Sequence, residues 1–61
     1  MMISALKVCK SNAGYYIGKE LYDENYNMHM PYSRNSVEYY ATRADADTAL
    51  SNNSYTRRLH P

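Results

Sequence analysis

The chain contains no phenylalanine and no tryptophan, and Cys9 is its only cysteine. A single cysteine excludes an intramolecular disulfide. It also leaves His29 and His60 far short of the four ligands that a structural zinc site needs. There is no internal repeat and no low-complexity tract. No stretch is apolar enough to span a membrane, and residues 1–9 lack the apolar core of a signal peptide. Together with one free thiol, this leads us to expect a reducing, cytoplasmic setting.

An excess of charge of one sign is missing too. Seven Lys+Arg stand against six Asp+Glu, a formal net charge of +1. A general nucleic-acid binder carries a strong basic excess, and a protein imitating DNA needs a large acidic one. Sixty-one residues make one domain. A chain this short buries only about 60% of its unfolded surface. Natural domains of this size recruit disulfides, a metal or a second subunit. With no disulfide and no ligand set for a metal, a homodimer is the expected device.

Tyrosine is what the chain has in abundance, with eight residues. Its ring is apolar and its hydroxyl wants a partner, so it suits half-buried sheet faces and interfaces. Eight such rings cannot all enter so small a core. Several must lie at its edge or outside it.

The pattern along the chain predicts an α+β fold. An antiparallel β-meander of three to four strands is followed by one C-terminal helix packed on one face. Residues 2–10 alternate as a half-buried strand, with Leu6 and Val8 against Lys7 and Cys9. Residues 11–14 are a turn, since Asn12 and Gly14 tolerate positive φ. Residues 15–22 form a second strand, with Tyr15, Ile17 and Leu21 on one face and Tyr16, Gly18, Glu20 and Tyr22 on the other. Residues 28–32 make a short strand that Pro31 demotes to an edge or an irregular segment. Residues 33–36 are a turn. Residues 37–41 are another strand, supported by Val37 and the Tyr39-Tyr40 pair.

Thr42 is then a helix N-cap, its hydroxyl accepting from the Asp45 amide. Asp45 and Asp47 suit the positive end of the helix dipole. Ala46, Ala49 and Leu50 form a narrow apolar stripe. Residues 51–54 end the helix. Residues 1–54 are therefore the domain, and residues 55–61 a basic, flexible tail.

The candidate chemical sites are weak. Cys9 lacks a neighbouring base and reads as a structural thiol. Met28-His29-Met30 suggests a soft-metal site, but alternation along a strand turns both Met side chains away from His29. Asp23, Asn25 and Asn27 have the opening spacing of a calcium loop. The loop's required Gly and Glu positions hold Met28 and Arg34 instead. Asp23, Glu24 and Glu38 are solvated carboxylates with nothing to pair them. No catalytic residue, metal or cofactor is expected. The one mixed cluster is Tyr32-Ser33-Arg34-Asn35-Ser36 with Tyr39 and Tyr40. Tyr and Arg are enriched at binding hot spots and also stack on single-stranded bases. The bland alternative is that these rings complete the core and Arg34 caps a turn.

Three stretches carry a resemblance: Lys7-Val8-Cys9-Lys10-Ser11-Asn12-Ala13-Gly14-Tyr15-Tyr16-Ile17-Gly18, Pro31-Tyr32-Ser33-Arg34-Asn35-Ser36, and Tyr39-Tyr40-Ala41-Thr42-Arg43-Ala44-Asp45-Ala46. Their order resembles that of short bacteriophage and prophage proteins of unknown function, over about residues 5–50. The resemblance implies a phage origin and a small α+β fold. It brings no activity and no functional residue with it. Phage chains of this size often bind and inhibit a host protein.

The expected function is a non-enzymatic protein-binding module that blocks a surface of a host enzyme or defence system. Its expected anchors are Tyr22, Tyr26, Tyr32, Arg34 and Tyr40. The alternative is a small nucleic-acid-binding module using the Tyr faces with Lys7, Lys10, Lys19, Arg57 and Arg58.

Overall fold

A computed structural model describes residues 1–59, so the part of the expected tail that holds His60 lies outside the described residues. In chain order the elements are β1 (Met2–Ile3), β2 (Lys7–Ser11), β3 (Gly14–Asp23), β4 (Met28–Arg34) and α1 (Arg43–Asn52). They build the expected α+β fold, an antiparallel four-stranded sheet followed by one helix.

β3 is the centre of the sheet and pairs with every other strand. β1 and β2 are the expected first strand, broken at residues 4–6. Met2 stands opposite Tyr22 and Lys7 opposite Gly18, a register slip of one residue between the two pieces. Ser4 bridges the break. Its amide donates to the Glu20 carbonyl at 2.8 Å and its hydroxyl accepts the Glu20 N–H at 2.9 Å. The side chain thus replaces a missing ladder bond.

The β2–β3 turn does not place positive φ on Asn12. Gly14 takes it instead, at 132°. A Cβ there would sit 2.8 Å from the Tyr40 carbonyl oxygen, so the position needs glycine twice over. Gly18 is under a different constraint. A Cβ on it would lie 2.2 Å from the Ser33 carbonyl oxygen, which forces β3 and β4 close together at that point.

β4 extends further than the pattern predicts. Ser33 and Arg34 belong to the strand and not to a turn. Pro31 is accommodated because β4 is an edge strand and its register shifts at Lys19/Glu20, leaving Tyr32 as the extra residue of a bulge.

The expected strand over residues 37–41 does not form. It contributes one isolated bridge, Tyr40 to Tyr15. The reason lies in its backbone partners. The Tyr40 N–H donates to Tyr15, whereas the Val37 N–H donates to Thr56 on the other side. The segment crosses from one partner to another and has no continuous ladder.

The helix caps are as the sequence predicts, although of the two acidic residues only Asp45 lies in the first turn. Thr42 Oγ1 accepts the Asp45 N–H at 3.1 Å. At the other end Asn53 adopts the left-handed conformation, φ 53°, and its N–H donates to Leu50 while that of Ser54 donates to Ala49. This is the Schellman arrangement. Ala46 and Ala49 are buried, and Ala49 packs on Ile17 with Tyr55, Leu6, Tyr40 and Leu50 around it. The helix therefore covers the face of β3 that carries Tyr15, Ile17 and Leu21.

The expected boundary at residue 54 also needs correction. Tyr55 is buried in the core, Arg57 bridges to Ser36, and the Arg58 N–H donates to the Asn35 carbonyl. Glu38 adds a further hold, its carboxylate accepting the Thr56 N–H and the Thr56 hydroxyl.

Candidate functional site

One sheet face has no helix on it. Alternation puts Tyr16, Gly18, Glu20 and Tyr22 of β3 there. Register adds Cys9 opposite Tyr16, Lys7 and Arg34 on either side of Gly18, and Met2 and His29 on either side of Tyr22.

Tyr16 and Cys9 are nevertheless buried, and Tyr39 comes down on Tyr16 from the loop after β4. The Tyr16 and Tyr39 rings meet edge to face with centroids 5.9 Å apart. The Arg34 guanidinium lies over the Tyr39 ring, 4.5 Å from its centroid, and Nη1 donates to the Tyr39 hydroxyl. These contacts make a continuous stack of Tyr16, Tyr39 and Arg34, combining aromatic and cation–π attraction. Beside it Tyr32 is 55% exposed. Tyr32, Arg34, Tyr39 and Arg58 share a cleft of about 330 Å³.

A second cleft of about 310 Å³ lies further along the same face, between Met2, Ile3, Tyr22 and His29. Its polar end is a Lys7–Glu20–His29 group. Lys7 Nζ sits 2.8 Å from Glu20 Oε1, and His29 Nδ1 sits 3.8 Å from the same oxygen. The hydrogen bond and the charge of Glu20 raise the Lys7 pKa. The Tyr22 and His29 rings lie 4.9 Å apart, and the Tyr22 hydroxyl donates to Asn27 at 2.6 Å.

The five expected anchors therefore separate. Tyr32 and Arg34 meet in one cleft. Tyr22 lines the other. Tyr26 is exposed in the β3–β4 turn and lines neither cleft. Tyr40 is a correction: it turns toward the helix side and packs against the core. Its neighbour Tyr39 takes the outward place. The alternation of Tyr39 and Tyr40 is visible in the sequence, but which face the helix covers is not. The sequence pattern places Arg58 in the tail. It enters the cleft because the bridge between Ser36 and Arg57 folds the chain end back.

Burial raises the Cys9 pKa and, with the Glu20 charge added, keeps the group as a neutral thiol. Burial also raises the Tyr16 pKa. Stacking, cation–π contact and hydrogen bonding are what this face offers a ligand. Among the described residues no helix is long and apolar enough to cross a membrane. No protein-family model, no curated protein and no solved structure matches this chain.

Proposed function

We propose that the chain is a non-enzymatic binding module that covers a surface of a partner protein with its helix-free sheet face. The observation that carries this is the exposed Tyr32 beside the Arg34–Tyr39 stack. A rigid ring next to a held guanidinium is the composition of a binding hot spot. Because Arg34 is already positioned by Tyr39, less side-chain freedom is lost on binding. The resemblance to phage and prophage proteins supports a host enzyme or defence protein in the host cytoplasm as the partner, blocked by occlusion.

The cation set expected of a nucleic-acid module is divided between the faces. Lys7 is on the open face but is held by Glu20. Lys10 and Lys19 pair with Tyr15 and Ser33, which alternation places on the helix side. A strand of phosphates needs cations along one track, so protein is the favoured partner class.

The test is capture of a host protein by the immobilised chain. Tyr32→Ala with Arg34→Ala should abolish capture. Asp47→Ala with Thr48→Ala, on the exposed side of the helix, should leave it intact. Equal capture by both double variants would sink the sheet-face assignment.

A further inference from the structure

The cleft beside Tyr32 has a charge property that the rest of the open face lacks. Arg34 and Arg58 line it, and among the described residues no carboxylate does. Among the described residues neither guanidinium lies within 4.0 Å of an Asp or Glu oxygen. Arg34 Nε is buried and, among the described residues, has no hydrogen-bond acceptor, so only the terminal nitrogens of the guanidinium are left to meet a ligand. Pro31 and Tyr32 form apolar walls next to these charges. The neighbouring cleft is the opposite case, since it holds the Glu20 carboxylate, paired with Lys7.

We infer, resting on the sheet-face function proposed above, that this cleft takes an acidic peptide segment of the partner protein. A carboxylate of that segment sits between Arg34 and Arg58, and an adjoining apolar side chain lies against Tyr32 and Pro31. Guanidinium groups match a carboxylate with paired N–H donors, and such charge-assisted bonds are the stronger kind. Pro31 and Tyr32 are both exposed, so the pairing stays open to water and to screening by salt. The charge layout also selects peptide over nucleic acid. Phosphates recur along a strand, and the next one over this face would meet the Glu20 carboxylate. A peptide presents one or two carboxylates locally and needs no longer track.

Nuclear magnetic resonance titration of the full chain tests this with three probes: a short blocked peptide alternating Glu and Leu, its Gln–Leu counterpart, and oligothymidylate. The Glu–Leu peptide should shift the amides of Ser33, Arg34, Tyr39 and Arg58, and bind less tightly as salt rises. Arg58→Gln and Arg34→Gln should each weaken it about tenfold, with the amide spectrum outside the cleft unchanged. Equal binding of the Gln–Leu peptide overturns the inference. So does a stronger response of the same amides to oligothymidylate, or no response to any probe. Host-protein capture separates this failure from failure of the sheet-face function. If Tyr32→Ala loses capture while Arg34→Gln and Arg58→Gln keep it, the acidic occupant falls and the binding face stands. If all three keep capture, the face itself is wrong.

Discussion

The Ser36 hydroxyl accepts the Ile17 amide N–H at 3.0 Å and donates to the Glu38 carbonyl at 2.9 Å. Ser36 and Ile17 are both fully buried. The Ile17 carbonyl meanwhile accepts the N–H groups of Asn35 and Ser36. One serine therefore completes the edge of β3 where β4 has ended, and it fixes the loop that delivers Tyr39 to the open face.

Replacing Ser36 with Ala should be costly for that reason. It leaves a buried N–H without an acceptor, a loss of about 1–3 kcal/mol. In a domain of this size each kcal/mol lowers Tm by about 4–8 °C. Thermal unfolding followed by circular dichroism measures it. A Tm equal to that of the parent would show that the Ile17 N–H finds another acceptor.

Tyr55 tests whether the residues after the helix belong to the domain. Its ring is 8% exposed and packs with Ile17 and Ala49. Tyr55→Ala should cost about 3–5 kcal/mol. The whole domain is expected to hold only roughly 3–9 kcal/mol at typical stability per residue, so this variant should lose a third or more of its stability. Tyr55→Phe keeps the ring volume and should lose less than about 1 kcal/mol. Urea titration of both variants decides. A Tyr55→Ala protein with the urea midpoint of the parent would mean that the segment is an appendage after all.

These two residues also show where sequence reasoning reaches its limit. The helix was legible because its signals are local: Thr42 stands three residues before Asp45, and Ala46, Ala49 and Leu50 share one side. The β2–β3 hairpin was legible for the same reason. Ser36 and Tyr55 owe their burial to contacts across 19 residues for the Ser36–Ile17 bond and to the docking of a whole segment. No local period encodes such contacts. The same holds for the site. Tyr32 and Arg34 are neighbours in the chain and were found together. Tyr39 and Arg58 reach them only through the course of residues 35–40 and the Ser36–Arg57 bridge.

Glu38 gives the fold a predictable response to acid. Its carboxylate accepts the Thr56 N–H at 2.9 Å and the Thr56 hydroxyl at 2.6 Å. These bonds favour the charged form and hold the pKa below the ordinary glutamate value of 4.5. In the unfolded chain the group takes up its proton at higher pH than in the folded one. The stability it contributes is thus fully present above pH 4.5 and is lost as pH falls through the lower, folded value. Glu38→Gln removes the titrating group while keeping a carbonyl acceptor. The urea midpoint of the parent should fall more steeply than that of Glu38→Gln over the acid range below pH 4.5. The Thr56 amide resonance should move with the same midpoint, which ties the effect to this contact and not to the other carboxylates. Parallel stability curves, with a Thr56 amide that does not titrate, would mean that Glu38 does not hold the chain end in place. The Ser36–Arg57 bridge and the Arg58–Asn35 bond would then keep Arg58 in the cleft without it.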